Sequence, residues 1–74
     1  MKNWKFKVVK VQLGGDGKWF DHRTAATFES EHEARRYAYE FSVEQRGVCG
    51  TKIVVLTRGG KHVARYDVEL RMGQ

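Results

Sequence analysis

Two strand-forming runs, Thr51–Thr57 and His62–Leu70, are separated by Arg58-Gly59-Gly60-Lys61, and this arrangement constrains the fold more than any other stretch of the chain. A Gly-Gly pair can supply the positive φ angles of a two-residue hairpin turn. The register expected from that turn sets Arg58 opposite Lys61, Thr57 opposite His62, Leu56 opposite Val63, Val55 opposite Ala64, Val54 opposite Arg65 and Ile53 opposite Tyr66. One side of the hairpin is then wholly apolar: Ile53, Val55, Ala64, Tyr66, Val68 and Leu70 read as core. The other side sets Val54, Leu56 and Val63 among Lys52, Arg65, Asp67, Glu69 and Arg71, an apolar patch ringed by charge.

Upstream, Trp4 to Leu13 is rich in β-branched and aromatic residues and reads as a strand. Its alternation changes phase: Trp4, Phe6 and Val8 share one parity, Val9, Val11 and Leu13 the other. Either a bulge near Val8-Val9 or burial on both faces for part of the strand accounts for this. Gly14-Gly15-Asp16-Gly17 forms a hairpin tip; no Gly-Lys-Ser/Thr follows, as a phosphate loop requires. Trp19 to Phe28 is a second strand with Phe20, Ala26 and Phe28 on its apolar face and Asp21, Arg23, Ala25 and Thr27 opposite.

Ser30-Glu31-His32-Glu33 is a capping box that opens a helix running to about Arg46, with Gly47 as its stop. Ala34, Tyr37, Ala38 and Phe41 recur at helical spacing and should face the sheet. Glu31 with Arg35 and Glu33 with Arg36 are expected surface pairs. The whole chain, residues 1–74, is thus expected to be one small α+β domain of order β-β-α-β-β. Its four-stranded antiparallel sheet carries one helix packed on one face, and the second face is left to solvent or a partner.

The chain has 14 Lys and Arg against 9 Asp and Glu. The basic excess belongs to the strands, whereas residues 29–46 hold five Glu against three Arg. No apolar run is long enough for a membrane span or a signal peptide, and a lone cysteine, Cys49, gives no disulfide framework and fits a reducing cytoplasm. His22, His32 and His62 lack metal-ligand spacing, Asp16 and Asp21 merely bracket a loop, and no nucleophile has an evident base. The expectation is a protein without catalytic, cofactor or metal sites that acts by binding.

Three surfaces could bind. The patch of Val54, Leu56 and Val63 with Arg65 has the character of a protein interface, with an apolar centre and a charged rim, and would also serve self-association as a homodimer. Lys5, Lys7, Lys10 and Lys18, near Trp19, could line a phosphate track on DNA or RNA. Arg35 and Tyr39 on the outer helix stripe, with Arg46, could form an interaction hot spot.

The chain resembles the small phage-encoded anti-CRISPR proteins that act on type I surveillance complexes. The resemblance is carried by Met1-Lys2, Lys10-Val11-Gln12, Ala34-Arg35-Arg36-Tyr37-Ala38, Gly50-Thr51 and the Gly59-Gly60 hairpin. A longer second strand and more charge after the helix depart from that pattern, and small bacterial proteins with the same β-β-α-β-β order resemble the chain about as well. The first resemblance implies a non-enzymatic inhibitor in the host cytoplasm that sits on the basic, DNA-receiving surface of the guide complex or holds a subunit in an inactive state; the leading expectation is docking on a protein or ribonucleoprotein complex that is thereby blocked sterically. The alternative read from the residues is a basic β-sheet domain that binds DNA or RNA directly.

Overall fold

Apolar runs without polar alternation suit strands buried on both faces. Two such runs, Val8-Val9 and Ile53-Val54-Val55-Leu56, lie in the middle of the sheet. The computed structural model describes residues 3–45 and 50–68. It contains β1 (Phe6–Leu13), β2 (Trp19–Phe28), α1 (Glu31–Glu44), β3 (Thr51–Thr57) and β4 (His62–Asp67). The strands form one antiparallel sheet of order β2-β1-β3-β4, with α1 across one face. The fold is therefore the α+β arrangement expected. Arg46, Gly47, Cys49, Glu69, Leu70 and Arg71 lie outside the described residues.

The helix-side core comprises Val8, Ala34, Ala38, Phe41, Ile53 and Val55, all buried. Ala34 and Ala38 let the helix backbone approach the sheet closely, and Phe41 fills the volume beside them. Tyr37, expected in the same stripe, sits at the rim, its ring 5.3 Å from Phe28 and 6.0 Å from Phe41.

Central β1 keeps an unbroken register with β3, from Phe6 opposite Thr57 to Gln12 opposite Thr51. Its apparent change of phase reflects burial on both faces: Val8 points to the helix and Val9, equally buried, points away. The irregularities lie in β2 instead, where Ala25 and His22 are each left without a partner on β1. These bulges shift only the middle of that strand: Phe20, Ala26 and Phe28 stay in the helix-side row and Asp21 and Thr27 in the other, as expected, whereas Arg23 moves to the helix side opposite Lys10. Ala25 packs against the helix-side core, and the Arg23 guanidinium comes to 5.7 Å from the centre of the Phe41 ring.

The β3–β4 turn also departs from expectation. Thr57 N donates to Lys61 O at 2.8 Å and Gly60 N donates to Thr57 O at 2.9 Å, so three residues rather than two form the loop. Of the two glycines only Gly60 has a positive φ, +92°. This is a turn closed by one left-handed residue, and the Lys61 amide is further held by Thr57 Oγ1 at 3.0 Å. Leu56 consequently faces His62, not Val63, and a bulge at Val63 restores the expected register from Val55–Ala64 downward. Gly60→Ala should cost about 1–2 kcal/mol, because it forces a Cβ into the left-handed region. Gly59→Ala, whose added Cβ meets nothing closer than Thr57 Oγ1 at 3.9 Å, should be near neutral. Urea denaturation of the two variants checks this; equal costs would restore the two-residue turn.

At the helix start, Ser30 has extended backbone angles and its Oγ accepts from Glu33 N at 3.5 Å. Only this half of the capping box forms: among the described residues the Glu33 carboxylate makes no return bond and no ion pair. Arg35 pairs with Glu31 at 2.7 Å as expected, whereas Arg36 reaches forward to Glu40 at 3.6 Å rather than back to Glu33.

Candidate binding surface on the open sheet face

Directly opposed residues of antiparallel strands share a face, so the register lays out the side of the sheet away from α1. Lys7 lies opposite Leu56 and Thr27, Val9 opposite Val54 and Thr24, and Val11 opposite Lys52 and Asp21. On the outer strand Arg65 faces Val54, Asp67 faces Lys52 and His62 faces Leu56. No described element crosses this side.

The apolar patch expected here is corrected in two ways. Val63 leaves it: the bulge turns Val63 toward the helix-side core, where its carbonyl accepts from Arg35 Nη2 at 2.9 Å. Val54 and Leu56 stay on the face but are only 3% and 7% exposed, forming a second small core with Val9. The physical reason is their central position. Each is flanked on the same face by longer neighbours, Lys7, Lys52 and Arg65 among them, whose aliphatic stems can lie over apolar surface while their charges remain in water.

What the face presents to solvent is therefore charge and one aromatic ring. Lys7 and Lys52 sit four residues apart along β1 and its partner, roughly 13 Å. Lys5, exposed just before β1, continues the parity of Lys7. Arg65 is exposed and lies 3.4 Å from Asp67. Trp19, paired with Leu13 at the end of the sheet, is 41% exposed. The Lys52 ammonium lies 4.0 Å from its ring centre, a cation–π contact that fixes one side of the indole and leaves the remainder free.

The four lysines expected to form a track do not lie together. Lys10 falls in the row of Val8 and Ile53 on the helix side, and Lys18 sits in the β1–β2 turn, its amide held by Asp16 Oδ1 at 3.0 Å. Lys5 and Lys7 remain on the open side, where Lys52 and Arg65 join them. On the other surface Tyr39 is 58% exposed and meets Tyr66 edge-on at 6.2 Å, while Arg35 is held by Glu31 and the Val63 carbonyl.

Among the described residues no group of three or more His, Cys, Asp or Glu is placed to hold a metal ion. No described helix is long and apolar enough to cross a membrane. Sequence reasoning missed an aromatic-walled cavity at the start of α1, lined by Trp4, Thr27, Phe28, Glu29 and Glu33. Its signal was the placement of Trp4 and Phe28 at adjoining strand ends, where Lys5 N donates to Phe28 O at 2.9 Å. Compared with models of protein families, with curated proteins and with solved structures, the chain matched none.

Proposed function

We propose that the protein is a non-enzymatic module that binds single-stranded nucleic acid across the sheet face opposite its helix. The observation that supports this reading is the joint placement of Lys7, Lys52 and Arg65 on one uncovered face, with the half-exposed Trp19 ring beside Lys52. Cations spread over a sheet neutralise phosphates, and a ring at its margin offers a surface on which a base can stack. The burial of Val54 and Leu56 removes the apolar anchor that a protein partner would need on this face. Four strands span about 14 Å between outer strand axes, and a major groove is about 12 Å wide. A splayed single strand thus suits the whole face better than a duplex.

The test is fluorescence anisotropy with short single-stranded DNA and RNA oligonucleotides over a salt series. Three neutralised phosphates give a slope of log K against log salt of about −2. Absence of binding at low salt sinks the proposal.

A second reading, steric inhibition of a nucleic-acid-handling complex of the CRISPR type, is favoured by the outer helix surface. There the exposed Tyr39 stands beside Glu40, with Glu44 one turn on, a combination complementary to a basic DNA-receiving surface. Its test is inhibition of DNA binding by a purified guide complex, which Tyr39→Ala should relieve.

A further inference from the structure

At the end of β2 opposite to Trp19, three aromatic rings line the seam between the start of α1 and the adjoining strand ends. Trp4, Phe28, Thr27, Glu29 and Glu33 line an open hollow of about 510 Å³. A second hollow of about 290 Å³ shares Phe28 and Glu33 with it and extends along the helix to Tyr37, Arg36 and Glu40. Because the second hollow follows Glu33, Tyr37 and Glu40 along successive turns of α1, the two together form a trough that runs lengthwise along the helix. Phe28 and Tyr37 stand 5.3 Å apart at 50°, forming an angled wall.

The chemistry of this lining is specific. Aromatic faces carry negative quadrupole charge and attract organic cations. Trp4 already does so within the protein, with the Arg58 guanidinium carbon 5.0 Å from its ring centre. The carboxylates of Glu29 and Glu33 add formal negative charge. Among the described residues neither is committed to an ion pair, whereas Glu31 and Glu40 are. Glu33 is also released from the capping bond that its position in the helix would suggest. Two cations stand at the trough: Arg58, over the Trp4 ring, and Arg36, held at 3.6 Å by Glu40 at the far end.

We propose that this trough receives a lysine side chain carried on an extended peptide segment of a partner protein. The alkyl stem would lie against Phe28 and Tyr37, and the ammonium would approach Trp4, Glu29 and Glu33. The elongated shape favours a chain passing along the seam over a compact free cation. The proposal does not rest on nucleic-acid binding: the trough lies at the far end of β2 from Trp19, and Thr27 is the lining residue that shares the row of Lys7.

The experiment titrates the full chain with a short lysine-containing peptide and with its norleucine counterpart, which keeps the stem and removes the charge. Amide chemical shifts of Phe28, Glu29, Glu33 and Tyr37 report occupancy. The lysine peptide should bind at least about tenfold more tightly than the norleucine peptide. That preference should vanish in Glu29→Gln/Glu33→Gln, whose exposed isosteric replacements leave the fold intact. Equal binding of the two peptides, shifts confined to other residues, or an undiminished preference in the double variant would each overturn the proposal. Choline is the third ligand: if it binds as tightly as the peptide, the occupant is a free small cation and the peptide assignment fails.

Discussion

Ile53→Ala and Leu56→Ala should each destabilise the domain by about 2–5 kcal/mol, although only Ile53 lies beneath the helix. Ile53 is fully buried against Val8, Ala38 and Phe41, so its truncation leaves a cavity between the layers. Leu56 is on the opposite side of the same strand, where an interface residue would lose little stability on truncation, within about 0.5 kcal/mol. Its 7% exposure and its packing with Val9 and Val54 give it the energetics of a core residue instead. A domain of this size has about 5 kcal/mol or less to lose, so either substitution should approach complete unfolding. Urea denaturation followed by circular dichroism checks both. A Leu56→Ala variant as stable as the parent would return that residue to the surface patch first expected from the alternation.

Trp19→Ala should weaken oligonucleotide binding by about 1–3 kcal/mol, the usual loss for one stacked base, without lowering the melting temperature appreciably. The ring is already 41% exposed at the end of the sheet and belongs to neither buried cluster, so its removal opens no cavity in the core. Phe20 provides an internal control. It follows Trp19 in the chain and is 48% exposed, but it lies opposite Gln12, in the row that faces the helix side. Phe20→Ala should leave affinity unchanged. Combining Lys7→Ala, Lys52→Ala and Arg65→Ala should flatten the salt dependence nearly to zero, because each removed phosphate contact takes about 0.7 from the slope. If Trp19→Ala and Phe20→Ala bind alike, or if the triple variant keeps the full slope, the nucleic acid is not on this face.

The order of elements was legible because each has a local signature: Ser30 before the apolar stripe of α1, the glycine-rich turns, the β-branched strands. The lower half of the β3–β4 hairpin was legible for the same reason. Its upper half was not. The turn takes three residues and the bulge at Val63 repays the difference, and Val63 is settled by contacts outside the hairpin, with the helix-side core and Arg35. Burial of Val54 and Leu56 likewise depends on strand order, which places β3 between β1 and β4. A hairpin read alone has two outer flanks and cannot reveal it. The continuous apolar run from Ile53 to Leu56 was the available clue, since a strand with one wet face would have alternated. The basic surface was half readable: Lys7 and Arg65 sit on the open side, but Lys10 belongs to the helix side and Lys18 to the β1–β2 turn.

Among the described residues the three bulges, at His22, Ala25 and Val63, all fall on the outermost strands, while the central β1–β3 ladder is regular. A straight rim of free amides and carbonyls is a template for strands from other chains, and a bulged rim interrupts that template. Here both margins of the sheet are interrupted, and at one of them Arg35 occupies the Val63 carbonyl as well. Growth by edge-to-edge polymerisation is thereby discouraged at either end. A molecule blunted in this way meets its surroundings through its two broad surfaces, so a concentrated solution should stay free of fibrils even when one of those surfaces is engaged.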